Sequence, residues 1–119
     1  MKTAIAKEIG AVISLKTSRE LLREIKGKRV DRAKKFLQGL IDQKRDVDGQ
    51  YHTKTTMSLL KIVEAAEANA KNKTMNLERL FIKNVRADKA ERRILAKSRT
   101  PHRGRIGKSA NIEITVEER

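Results

Sequence analysis

The chain has no cysteine, no tryptophan and one proline, Pro101, in 119 residues. Without thiols it forms neither a disulfide nor a cysteine-ligated zinc site, so packing alone must hold it together. Aromatic residues number three, Phe36, Tyr51 and Phe81. A protein that stacks single-stranded bases on an aromatic sheet needs more than that. Phosphates, sugars, groove shape and guanidinium stacking remain as means of contact. Long apolar runs are missing too. Met1-Lys2-Thr3-Ala4-Ile5-Ala6-Lys7-Glu8 breaks into charge too early for a signal peptide, and no run is long enough to span a bilayer. No segment joins a large apolar face to Trp or Tyr anchors, so an anionic membrane surface is a weak candidate partner. A soluble, cytosolic protein without membrane insertion is expected.

Negative charge is the last scarcity. Fifteen Asp and Glu stand against 29 Lys and Arg, a net charge of +14. Such an excess bears on partners rather than on fold, and nucleic acid leads the list. Catalytic constellations are not legible. His52 and His102 lie among cations without ligand or catalytic spacing, and Ser14, Ser18, Ser58, Ser98 and Ser109 lack a nucleophile context. Asp46-Val47-Asp48-Gly49 fails as a calcium loop because Lys44 precedes it and no glutamate follows at the required distance. Gly107-Lys108-Ser109 fails as a phosphate loop for want of an earlier glycine and a strand-to-helix context. No enzyme activity, metal or cofactor is expected.

What the chain does have is concentrated between residues 86 and 110. Nine cations fall there, Arg86, Lys89, Arg92, Arg93, Lys97, Arg99, Arg103, Arg105 and Lys108, against Asp88 and Glu91. Ile94, Leu95 and Ile106 are too few to build a core. Yet strand-like segments flank the stretch: Leu80–Val85 before it, and after it Asn111–Val116, with Ile112, Ile114 and Val116 inward and Glu113, Thr115 and Glu117 outward. The segment therefore reads as a basic hairpin arm rooted at both ends, whose natural partner is a polyanion.

Elsewhere the periodicity is mostly helical. Ala11–Leu15 reads as a short strand, and Thr17-Ser18-Arg19-Glu20 as a capping box opening a helix with Leu21, Leu22 and Ile25 on one face. Gly27 ends it, and Lys26-Gly27-Lys28-Arg29 forms a cationic turn suited to phosphate. Val30, Ala33, Phe36, Leu37, Leu40 and Ile41 recur in steps of three and four, which predicts a second helix whose outer face carries Arg32, Lys34 and Lys35. A third helix is predicted over about 56–72, its Ala65–Ala70 run rich in small residues that permit close approach. The sum is an α+β fold: three helices packed on a small three-stranded antiparallel sheet, with a long basic β-hairpin extension. It is read as a single domain over 1–119, its body about 11–85 and 111–118 and its arm about 86–110.

These residues resemble a known family. Ile25-Lys26-Gly27-Lys28-Arg29-Val30-Asp31-Arg32-Ala33, the helix end Glu67-Ala68-Asn69-Ala70, the strand entry Asn76–Ile82, the closing Asn111-Ile112-Glu113-Ile114 and Gly49-Gln50-Tyr51-His52-Thr53-Lys54 are similar to segments of the universal large-subunit ribosomal protein family L-twenty-two (L-seventeen in eukaryotes), in its archaeal and eukaryotic branch. The order is consistent from about residue 12 to 118. Leu15 and His52 stand where the family pattern has proline, and Leu95–Pro101 departs from the family's tip. The resemblance implies a structural constituent of a cytoplasmic ribosome that binds large-subunit ribosomal RNA, its arm lining the nascent-peptide exit tunnel. It implies RNA contacts by Lys16, Lys26, Lys28, Arg29, Lys54, Asn69, Arg86, Lys89, Arg92, Arg93, Lys97, Arg99, Arg103, Arg105 and Lys108, and Arg19 and His102 are expected to join them. Lys97, Ser98, Arg99, Thr100, Pro101, His102 and Arg103 would form the tip facing a nascent peptide. Neighbouring ribosomal proteins near the tunnel exit are expected partners, and a homo-oligomer is not.

The alternative from the residues alone is an architectural DNA-binding protein that wraps its basic arm into a minor groove. An RNA-processing enzyme is disfavoured by the lack of paired carboxylates, metal ligands or a nucleophile.

Overall fold

The computed structural model describes residues 3–11, 13–44, 52–90, 93–96, 104–107 and 109–119, and of 93–96 and 104–107 the backbone alone. Three helices, α1 (Leu15–Ile25), α2 (Val30–Ile41) and α3 (Thr53–Asn72), accompany a three-stranded antiparallel sheet. Its strands are β1 (Thr3–Ala11), β2 (Leu80–Lys89) and β5 (Ala110–Glu118), with β5 in the centre. Between β2 and β5 the chain forms a second ladder, β3 (Arg93–Ala96) with β4 (Gly104–Gly107), antiparallel from Arg93↔Gly107 to Ala96↔Gly104. The α+β architecture matches the expectation from sequence.

One strand lies elsewhere than expected. The apolar run Ala11–Leu15 is not a strand: Ala11 ends β1, Ile13 is buried, and Leu15 opens α1. Ser14 sets this boundary, since its hydroxyl accepts the Thr17 amide at 3.4 Å and so caps the helix in place of Thr17. The sheet takes its edge strand upstream instead, where Ala4 and Ala6 are buried. Alanines give little hydrophobic signal but fit where α3 lies close. Ala66 and Ala70 of α3 are fully buried, and the helix is pinned to β1 by Asn69 Nδ2 donating to the Ile5 carbonyl at 2.9 Å and Lys73 Nζ donating to that of Thr3 at 3.0 Å.

Two bulges set which side chains face the core. In β2 the register with β5 shifts between Ile82 and Asn84, so Leu80 and Ile82 point inward before the shift and Ala87 after it. In β1 the register shifts between Glu8 and Ala11, at Gly10 with φ +74°, and Ala11 turns inward where Ala4 and Ala6 did before. A flat period-two reading misses both. It puts Glu117 outward but does not foresee that it is only 6% exposed there: Arg119 Nε at 2.6 Å and Lys83 Nζ at 3.9 Å close over it and neutralise it. Ile112, Ile114 and Val116 face the core as expected.

The turn after α1 is stitched to the sheet. Gly27, at φ +82°, donates to the Ile82 carbonyl at 2.8 Å, and the Ile82 amide donates back to the Lys28 carbonyl at 2.9 Å. Arg29 completes the patch by bridging to Phe81. These bonds satisfy part of the free edge of β2, which would otherwise offer a pairing template. They also join Gly27, Lys28 and Arg29 of the cationic turn to the strand.

Candidate nucleic-acid interface

Helix α1 carries Lys16, Arg19 and Arg23 at steps of three and four, beside a buried face of Ser18, Leu21, Leu22 and Ile25. Such spacing puts the cations in one stripe. That stripe, the first turn of α3 and the foot of the hairpin enclose an open cleft of about 850 Å³, lined by Lys16, Arg19, Arg23, Lys54 and Lys89 and by a single carboxylate, Glu20. Thr55, Ala90 and Ser109 complete the side toward the arm, and the Ala90 amide donates to the Ser109 carbonyl at 3.1 Å, extending the ladder past β2. Arg19 Nε donates to the Ala87 carbonyl at 3.2 Å and so ties α1 to the strand that feeds the arm.

A second cleft, of about 600 Å³, lies below the stitched turn. Gly27, Lys28, Arg29, Arg32, Lys35, Phe36 and Phe81 line it, with no carboxylate among them. Arg29 Nη2 donates to the Glu78 carbonyl at 2.6 Å, which holds its guanidinium in place. Lys28 Nζ stands 5.0 Å from the centre of the Phe36 ring, and the Arg119 guanidinium 4.7 Å from that of Phe81.

No carboxylate that forms an ion pair among the described residues is part of either lining, although Arg119, paired with Glu117, stacks on Phe81 of the second cleft. Among the described residues the pairs are Lys7–Glu113, Lys34–Glu67, Lys83–Glu117, Arg86–Asp88 and Arg119–Glu117. Lys34, next to Arg32 and Lys35 in sequence, turns instead to α3, where its 2.8 Å hydrogen bond to Glu67 raises its pKa. Among the described residues the cations lining the clefts form no ion pair with a carboxylate, an arrangement that favours an external polyanion.

Of the expected contact residues, Lys16, Arg19, Lys54 and Lys89 meet in the first cleft, and Lys28 and Arg29 in the second. Lys26 is exposed and lines neither. Two stand apart. Asn69 spends its amide on β1, and Arg86 is exposed on the sheet with Nε 2.6 Å from Asp88 Oδ2. Arg93 and Arg105 lie in β3 and β4. Arg92, Lys97, Ser98, Arg99, Thr100, Pro101, His102, Arg103 and Lys108 lie outside the described residues. Arg23, Arg32 and Lys35 line the clefts without having been expected to. Helical spacing held the signal: Arg23 extends the Lys16–Arg19 stripe by four, and Arg32 and Lys35 follow Lys28 by four and then three.

Two further features bear on chemistry. His52 takes the left-handed conformation, φ 47°, at the start of α3, and its Nε2 is buried without a hydrogen-bond partner among the described residues. No group of metal-binding side chains occurs among the described residues, and no described helix is long and apolar enough to cross a membrane.

A small α+β body with two cation clefts, one at the foot of a basic hairpin, defines a class of basic, polyanion-binding proteins. Sequence comparison then gives the family. The family described as ribosomal protein L22p/L17e matches residues 6–117, and the chain belongs to it. Over 107 residues the chain is 34% identical to large ribosomal subunit protein uL22 of Methanocaldococcus jannaschii, covering 74% of this chain and 69% of that protein. The same protein of Methanococcoides burtonii is 29% identical over 136 residues, covering 95% of this chain and 89% of the relative. For Methanopyrus kandleri the values are 33% over 97 residues, 65% and 61%. The resemblance read from the sequence is thereby established, in its archaeal form.

Proposed function

We propose that this chain is a structural constituent of the large ribosomal subunit that binds and organises large-subunit ribosomal RNA. In this reading it works on the cytoplasmic ribosome, beside other large-subunit proteins near the tunnel exit. The arm lines the exit tunnel, and residues 97–103 form the tip that a nascent peptide passes. Family membership and the relatives' names support the ribosomal role. The observation that carries RNA binding is the five-cation cleft at the root of the arm. A polyanion held there touches α1, α3 and the hairpin at once, so it would fix the arm's direction as well as the body's position. No catalytic role is proposed.

The test is a pair of measurements on the whole protein. Titration should show folded large-subunit ribosomal RNA bound more tightly than duplex DNA at equal salt, and the protein should stay on large subunits through a high-salt wash. Equal affinity for duplex DNA together with loss in the wash would favour the architectural DNA-binding alternative. A photoreactive group at position 99 tests the tunnel placement separately: cross-links to RNA or nascent peptide support it, and cross-links only to solvent-side proteins end it.

A further inference from the structure

Aromatics are too few here for a base-stacking sheet, yet two of the three meet in one place. Phe36 from α2 and Phe81 from β2 both line the cleft under the stitched turn, together with Lys28, Arg29, Arg32 and Lys35. Four cations alone would suit any phosphate backbone. Phe36 serves mainly the core, at 9% exposure, but Phe81 is partly exposed, and phosphate contact alone gives an exposed ring nothing to do. Building on the RNA-binding reading above, we propose that this cleft receives one unpaired nucleotide of the bound RNA, its base against Phe81 and its flanking phosphates on Arg29, Arg32 and Lys35.

The geometry suits that ligand in four ways. The cleft, about 600 Å³, falls within the usual range of small-ligand pockets, about 300–1,000 Å³. Phe81 is partly exposed and lines the cleft, and the Arg119 guanidinium, 4.7 Å from its ring centre, is not part of that lining. Arg29 is oriented in advance by its bond to the Glu78 carbonyl, at 2.6 Å, leaving its other N–H groups for phosphate. Gly27 has no side chain, and nothing lies within 4 Å of where a Cβ would stand, so the backbone there can be approached closely. A base inside an A-form helix has its faces covered by its neighbours and cannot enter. A bulged or looped-out base can, and its π-face is what an aromatic wall receives.

The experiment titrates the full chain with a short RNA duplex carrying a single bulged 2-aminopurine, and with the same duplex whose bulge is an abasic ribose. The two share phosphate number and backbone interruption and differ only in the base. The base-bearing RNA should bind about tenfold tighter, the effect of one stacked base. Phe81→Leu should abolish that ratio while keeping the affinity for the abasic RNA, and Phe81→Tyr, which keeps a ring, should preserve it. Arg32→Gln should weaken both RNAs alike and leave the ratio intact. Equal binding of the two RNAs by the parent, or a ratio that survives Phe81→Leu, overturns the proposal but leaves the chain an RNA binder. Failure to bind either RNA overturns both.

Discussion

Replacing Ala66 with leucine tests why α3 is so rich in small residues. Ala66 is fully buried where α3 lies against β1, itself lined by Ala4 and Ala6 at 0% and 5% exposure. If space were left over, the larger side chain would stabilise by about 1.5–3 kcal/mol through burial. The hydrogen bonds show that little is left. Asn69, one turn on, reaches the Ile5 carbonyl at 2.9 Å, and Lys73 that of Thr3 at 3.0 Å. A leucine must therefore lift the helix from the strand, at about 1–3 kcal/mol for overpacking and about 1 kcal/mol for each hydrogen bond stretched. The net expectation is a loss of about 3–5 kcal/mol, and a melting temperature lower by roughly 10–20 °C for a chain of this length. Urea unfolding followed by far-ultraviolet circular dichroism measures it. The control is Ala68→Leu, at an exposed position of the same helix, which should stay within about 0.5 kcal/mol of the parent. If Ala66→Leu unfolds like Ala68→Leu, the close-approach argument is wrong.

Phe36→Ala should destabilise by about 3–5 kcal/mol, because the ring is only 9% exposed within the helix–sheet core; a parent-like urea midpoint would remove Phe36 from that core. Changing Lys16, Arg23, Lys54 and Lys89 together to glutamine should flatten the log–log salt dependence of RNA affinity by about 0.7–0.9 for each phosphate no longer neutralised, and an unchanged slope would put the main binding surface elsewhere. Arg19 is spared in that variant because its bond to the Ala87 carbonyl is structural. The hydrogen bond to Glu67 raises the Lys34 pKa above the ordinary lysine value of about 10.4, against a smaller opposing effect of burial. A raised folded-state value stabilises fully below the unfolded one and is lost as pH rises through the folded one. The gap in urea midpoint between parent and Lys34→Gln should therefore be constant near neutrality and close as the lysine range is passed; a gap unchanged there would refute the link.

How far the sequence revealed the fold depended on how loud each hydrophobic pattern was. Helix α2 was legible because its apolar face is made of large side chains at regular steps. Strand β1 was not, because its buried residues are alanines, while its isoleucines, Ile5 and Ile9, are 45% and 82% exposed. Hydrophobicity there points the wrong way, and only the small-residue face of α3 reveals why alanine is wanted. The start of α1 turned on a choice between two hydroxyl residues, Ser14 and Thr17, each able to cap. The capping box favoured Thr17, but burial of Ile13 just before Ser14 fixed the chain's entry one turn earlier. Glu117 belongs to another kind of miss. Alternation puts it outward correctly, but cannot show that Lys83, the residue beside the β2 bulge, and Arg119 would close over it.

The candidate interface was legible as charge and illegible as shape. Net charge pointed to a class of partner, and the contact residues expected from the sequence include six of the cations that line the two clefts. It could not sort cations that face the partner from cations already engaged, and neighbours in sequence divide sharply on that point. Arg32 and Lys35 open onto a cleft without carboxylates, while Lys34 between them is drawn to Glu67 on another helix. The same holds for the aromatics. Phe36 and Phe81 stand 45 positions apart in the sequence, each unremarkable alone. The bonds from Gly27 to Ile82 and from Ile82 to Lys28 carry the turn to β2 and so bring α2 beside it. A backbone stitch that satisfies a sheet edge is what assembles rings and cations into one pocket, and no local pattern announces it, because the pairing joins a turn to a strand rather than a strand to a strand.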